Sequence, residues 1–162
     1  MSDVAPPITL TVNGQVRQLH VSADTTALMA LRHDLDLKGT RIGCTEGHCG
    51  ACTALLDGKP VQTCNLPLWS IAGRCLTTIE ALSASGHYSA VQQAFLAEHA
   101  GQCGYCVNGI IMTVTAMLAT TPPATRAAII ATLDERHLCR CGAHPRILRA
   151  IDRAIAAQGA AR

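Results

Sequence analysis

The chain has 162 residues, room for one ordinary domain or two small ones and too few for a large catalytic barrel. Apolar residues make up 49% and charged residues 15%, which excludes a disordered chain, and a net charge of +2 is too weak to point to nucleic acid. Nine cysteines against four aromatic residues (Trp69, Tyr88, Phe95 and Tyr105) place the distinctive chemistry on sulfur.

The first half reads as strands. Ile8-Thr-Leu-Thr-Val12 alternates apolar and polar residues, Asn13-Gly14 is a hairpin turn, and residues 16–21 supply the return strand. Residues 25–34 carry Leu28, Leu31 and, just beyond, Leu35 at helical spacing, with Ser22 or Asp24 as the cap. A loop rich in Gly and Cys covers residues 38–52. Strands at 53–56 and 61–64 around Asp57-Gly58 form a second hairpin, and residues 75–79 form a last strand. The second half reads as helices over residues 89–100, 107–119, 126–133 and 145–157, with Pro145 suited to a first turn. Ser83, Ser85 and Gly86 interrupt the pattern between the halves. The expected fold class is α+β: a small mixed sheet crossed by a helix in residues 1–80, then an all-α four-helix unit in residues 81–162.

Residues 1–7 carry neither a basic segment nor an apolar stretch, and the longest apolar region, 109–119, falls far short of the roughly 20 residues that span a bilayer. The expectation is a cytoplasmic chain without direct membrane insertion, with export to the periplasm open only to a folded complex that a partner's signal carries. Thiols in the cytosol stay reduced, and an odd count cannot pair fully, so metal ligands are favoured over disulfides.

Cys44, Cys49 and Cys52 follow an x4-x2 spacing, with eleven residues between Cys52 and Cys64. This is the plant-type spacing of a [2Fe–2S] cluster held by four thiolates. An anionic cluster needs backbone N–H groups turned toward its sulfurs, and Gly43, Gly47 and Gly50 give the loop the freedom to wrap closely. A zinc knuckle on Cys49 and Cys52 is the competing reading, though zinc sites usually pair two short Cys-x-x-Cys units. Glu46 and His48 read as solvated loop residues, and four cysteines leave no need for a Rieske-type histidine pair. In the second half Cys103-Gly-Tyr-Cys106 and Cys139-Arg-Cys141 each precede a helix, whose N-terminus stabilises thiolates. Iron–sulfur and structural zinc both remain open there on spacing alone; a thioredoxin-like dithiol would sit in a βαβ setting instead. Cys75 reads as a buried strand cysteine, a small apolar side chain. No Ser/His/Asp set, phosphate loop or dinucleotide fingerprint supports independent catalysis, so no catalytic residue is assigned.

Gly43-Cys-Thr-Glu-Gly-His-Cys-Gly-Ala-Cys-Thr53, Gln102-Cys-Gly-Tyr-Cys106 and Leu138-Cys-Arg-Cys-Gly142 resemble the iron–sulfur (small) subunit of the molybdenum hydroxylases, the xanthine oxidase family, over about residues 8–155. The resemblance implies a β-grasp ferredoxin-like domain whose [2Fe–2S] cluster is held by Cys44, Cys49, Cys52 and Cys64. It also implies a helical domain whose [2Fe–2S] cluster is held by Cys103, Cys106, Cys139 and Cys141. By the same resemblance, a large partner subunit holds the molybdopterin, as its cytosine dinucleotide, and Gln102 and Cys141 approach the pterin. Electrons would then pass from the partner through the helical-domain cluster and the ferredoxin-like cluster to an acceptor. Flavin-linked members read Gln-Cys-Gly-Phe-Cys-Thr-Pro-Gly where this chain has Gln-Cys-Gly-Tyr-Cys-Val-Asn-Gly. Tyr105, Val107, Asn108 and Ile110-Ile-Met112 are more similar to small subunits of enzymes oxidising N-heterocycles, isoquinoline 1-oxidoreductase and nicotinate dehydrogenase among them. That similarity implies an aromatic N-heterocycle such as nicotinate as substrate and a c-type cytochrome as acceptor in place of an FAD subunit. An aldehyde- or xanthine-oxidising member and a free-standing ferredoxin with a structural helical domain are the alternatives.

Overall fold

Asn13 and Gly14 both take positive φ, 51° and 79°, the two left-handed positions of a primed hairpin turn. In the computed structural model, which describes residues 7–160, that turn joins β1 (Ile8–Val12) to β2 (Gln15–Leu19) in antiparallel register, from Ile8 opposite Leu19 to Val12 opposite Gln15. The reading of residues 1–7 as free of a leader falls, except for Pro7, outside the described residues. Asp57 and Gly58, at 48° and 79°, repeat the device between β3 (Thr53–Leu56) and β4 (Lys59–Gln62). β5 (Cys75–Thr77) then threads between the hairpins, parallel to β1 and antiparallel to β3, to give the order β2-β1-β5-β3-β4.

The sheet is crossed on one face by α1 (Ala27–Met29), which widens into π-helical turns over Ala30–Asp34. Its cap is Thr26, not Ser22 or Asp24. Thr26 is extended and its Oγ1 accepts the Met29 N–H at 3.4 Å, whereas the Ser22 hydroxyl accepts from Asp24 inside the preceding turn. Leu10, Val12, Leu31, Leu56, Ile71 and Leu76 fill the space between helix and sheet.

All four residues of β3 are buried, because this strand is covered on both faces. The second cover is α3 (Val107–Leu118), whose Met112 and Ala116 cluster with Leu55. Cys75 departs from the expected burial. Leu76 takes the core face of β5, which leaves Cys75 on the other face, exposed beside the Asp57 turn, where the Asp57 carboxylate accepts its N–H at 3.0 Å.

The helical unit adds α2 (Ala90–Ala97), α4 (Arg126–Arg136) and α5 (His144–Ala160). Ser89 and Gln92 form a reciprocal capping box on α2, and Thr125 caps α4 through the Ala128 N–H. Phe95, Ile110, Val114, Ile129, Ile147 and Ile151 make its core. α2 stops earlier than its apolar spacing predicts, and just beyond it His99 turns left-handed at φ 48°; α4 runs three residues longer, to Arg136. Among the described residues no helix is long and apolar enough to cross a membrane.

Met112 is 1% exposed and joins the helical unit to the sheet, so Met112→Ala should cost about 2–5 kcal/mol of stability. Urea denaturation followed by circular dichroism would measure it, with a lowered midpoint as the expected result.

Candidate metal centres

The loop before β3 turns on left-handed residues at Thr45 (61°), Gly47 (76°) and Gly50 (70°). The result is a coil whose amides point inward. The N–H groups of Glu46, His48 and Cys49 donate to Cys44 Sγ at 3.4, 3.4 and 3.3 Å, and the Cys44 N–H donates to Cys49 Sγ at 3.3 Å. These donors, with the Glu46 amide foremost, hold the Cys44 thiol down at about 6. The side chains of Glu46 and His48 stay exposed, as expected, and their contribution lies in the backbone. A Cβ on Gly43 would stand 2.5 Å from Cys49 Sγ, so glycine there lets the chain pass beside the sulfur.

Cys52 leaves this coil buried at the edge of β3. Cys64 lies in the tight turn Thr63–Asn65, two residues past the end of β4, the strand in which the sequence pattern placed it. Thr63 fixes that turn by donating its N–H and its hydroxyl to the Cys52 carbonyl, at 3.3 and 2.8 Å. Burial, then hydrogen-bonding contact with Cys52, pushes the Cys64 thiol up to about 11, against a pull downward from the Gly47 amide.

The second set repeats this division. Cys103 and Cys106 flank the turn that opens α3, and Cys139 and Cys141 lie between α4 and α5. Cys103 is exposed and contacts Cys141; the Tyr105 amide and that contact lower the Cys103 thiol, while the same contact raises Cys141. Cys106 and Cys139 are buried together, and burial followed by the Cys139 contact drives Cys106 up to about 12. Gln102 is exposed next to the outward pair. It borders a groove of about 410 Å³ whose wall includes Tyr88, Gln92, Phe95 and Val107.

Among the described residues no three His, Cys, Asp or Glu side chains are grouped about one point as a single bound ion would need. The thiols meet in pairs instead: Cys44 with Cys49, Cys52 with Cys64, Cys103 with Cys141 and Cys106 with Cys139. Two pairs per set fit a two-iron cluster with two terminal thiolates on each iron, and the amides aimed at Cys44 supply the donors that its charge requires.

The two sets are joined by backbone. Leu138 donates its N–H to the Cys49 carbonyl at 3.0 Å, so a residue bonded to Cys139 touches a residue of the first coil. Asn108 Nδ2 donates to the Gly39 carbonyl at 2.8 Å on the other side of α3. His137, to which the sequence pattern assigns no role, sits in this seam. Its Nε2 shares a 2.8 Å hydrogen bond with Thr113 Oγ1, and burial followed by the Arg136 charge lowers its pKa to about 4. Its only sequence signal is its place directly before Leu138-Cys-Arg-Cys141.

A 2Fe-2S iron-sulfur cluster binding domain family model matches residues 10–74, and a [2Fe-2S] binding domain family model matches residues 78–152. A nicotinate dehydrogenase subunit from Pseudomonas putida is 47% identical over 91% of this chain and 93% of its own length. The alpha subunit of isoquinoline 1-oxidoreductase from Brevundimonas diminuta is 42% identical over 88% of this chain and 93% of its own. The solved structure of aldehyde oxidoreductase from Desulfovibrio gigas superposes with a TM-score of 0.88 at 30% identity, over 96% of this chain and 17% of that much longer one.

In the metal-free chain at neutral pH, Cys44 should be alkylated by iodoacetamide ahead of Cys64 and Cys106, since of these three only the Cys44 thiol is held below the usual thiol range. Its labelling rate, followed by peptide mass spectrometry, should rise as pH climbs through about 6 and then level off.

Proposed function

The chain belongs to the iron–sulfur small subunits of the molybdenum hydroxylases, and on that premise we propose that its eight paired cysteines form the electron relay that leads to an acceptor from a large molybdopterin-binding subunit. The observation that carries this reading is the gathering of the eight thiols into four pairs, two on each side of the Leu138–Cys49 contact. In the ferredoxin-type unit, residues 1–80, Cys44 and Cys49 hold one iron and Cys52 and Cys64 the other. In the helical unit, residues 81–162, Cys103 and Cys141 hold one iron and Cys106 and Cys139 the other. When bound, each cluster takes up and gives back one electron at a potential set by charge, burial and hydrogen bonds to sulfur.

The residues divide the work by position. Cys103, Cys141 and Gln102 lie toward the surface of the helical unit, which favours that face as the one turned to the partner's pterin, with Gln102 as a hydrogen-bonding contact. Cys106 and Cys139 are buried toward the seam, where the Leu138 N–H reaches the ferredoxin-type coil. Cys44 and Cys49, half-buried in that coil, form the side that receives the electron across the Leu138–Cys49 contact. The amides of Glu46, His48 and Cys49 stabilise sulfur charge there without ordering water at each transfer.

The substrate we propose is an aromatic N-heterocycle such as nicotinate, oxidised on the large partner. What supports it is the 47% and 42% identity to chains named for nicotinate and isoquinoline, against 38% to the iron-sulfur-binding subunit of an aldehyde oxidoreductase from Escherichia coli. The cytosine dinucleotide form of the pterin, a c-type cytochrome in the acceptor's place rather than an FAD subunit, and a cytoplasmic site of folding belong to the same proposal.

Two variants test the ligand assignment in the purified complex. Cys49→Ser should abolish one of two [2Fe–2S] EPR signals and Cys141→Ser the other, each with turnover reduced beyond the roughly 10- to 100-fold that loss of a hydrogen-bonding partner behind the ligands costs. Turnover unchanged in Cys141→Ser, or one variant erasing neither signal, would remove the corresponding cysteine from the relay.

A further inference from the structure

Three segments meet where the two halves touch: the coil at Cys49-Gly50, α3 at Gly109 and Thr113, and the end of α4 at Arg136–Leu138. The approach is closer than side chains allow. A Cβ on Gly50 would overlap the Arg136 carbonyl and the His137 ring, and one on Gly109 would overlap the Gly50 carbonyl. The His137 imidazole fills the space between these backbones. One edge is tied to Thr113 Oγ1, itself 0% exposed, and the other edge, Nδ1, is buried against Gly50 without a hydrogen-bond partner among the described residues.

An unpartnered buried nitrogen is costly, and an apolar ring would fill the same volume without that cost. What the imidazole adds is the Thr113 bond, which fixes the ring's angle and with it the backbone at residues 137 and 138. His137 is extended, φ −132° and ψ 126°, and ends α4 by giving its own N–H to the Leu133 carbonyl at 2.9 Å. The next N–H, that of Leu138, is thereby directed at the Cys49 carbonyl at 3.0 Å. Leu138 has no comparable anchor in its own side chain, which is 64% exposed.

We propose that His137 is a positioning residue which, locked by Thr113 and seated on Gly50, holds the Leu138 N–H on the Cys49 carbonyl and so sets the electronic coupling between the two iron–sulfur sites. The inference rests on the ligand assignment above. The step it governs is the passage of a single electron: the helical-unit site is oxidised by one electron, the ferredoxin-type site is reduced by one, and no proton or covalent bond changes hands.

The test uses the whole complex, wild type and the variants His137→Ala and Thr113→Val. Each is first measured for iron per chain and for the reduction potential of each EPR signal. One electron is then injected by pulse radiolysis, and its redistribution between the two sites is timed. With four irons and unshifted potentials, His137→Ala should slow redistribution, Thr113→Val should slow it less, and His137→Gln should recover part of the loss. Iron-replete His137→Ala with an unchanged rate would overturn the proposal. Should His137→Ala lose iron, Thr113→Val decides: wild-type speed in that variant overturns it equally. A wild-type complex holding fewer than four irons per chain would instead defeat the ligand assignment itself, a separate failure.

Discussion

Gathering thiolates is electrostatically unfavourable, and the placement of glycines, turns and helix ends in this chain answers that single problem. Like charges a few ångströms apart repel, and burial penalises each of them further. The two thiol sets meet the problem in the same way. An outer thiol, Cys44 or Cys103, is held low by backbone amides, those of Glu46 and Tyr105 foremost. An inner thiol, Cys64 or Cys106, is buried and pushed high, and becomes a thiolate only when a metal takes the proton's place. The fold therefore supplies the donors where water could reach the site and leaves the buried side to the charge of the iron.

The same need for close approach explains why the two halves are one packed body at their seam. Met112 and Ala116 of α3 cover the sheet face that α1 leaves open, which is why β3 is buried on both sides. At Gly50 and Gly109 the backbones come within the space of a missing Cβ. A relay between two sites is useful only if their separation is fixed, and close-packed backbone is less compliant than side chains meeting across a loose interface. Cys49-Gly50 thus serves at once as thiol-bearing loop, turn and contact surface.

How much of this could be read from the sequence follows from how local each signal is. The hairpins were legible because Asn13-Gly14 and Asp57-Gly58 state their own turn geometry. The family and its two [2Fe–2S] domains are legible because cysteine spacing is fixed along the chain, and the fit to known small subunits extends over most of it. The cap of α1 is not legible in the sequence because Ser22, Asp24 and Thr26 are all competent, and only the backbone at Thr26 selects among them. Cys75 is exposed where the sequence suggests burial, because strand membership gives the alternation but not which face is covered. His137 and Thr113 were invisible for a stronger reason: they lie 24 positions apart, and their meeting on Gly50 exists only after the halves pack.

The metal content of the native chain tests the two-cluster relay most directly. Iron, zinc and acid-labile sulfide should be measured together per chain in the purified complex. About four irons and four sulfides, without zinc, is the predicted result, since each set of four thiolates takes one [2Fe–2S] cluster. About two irons with one zinc would contradict it, leaving a single ferredoxin-type site beside a structural helical unit.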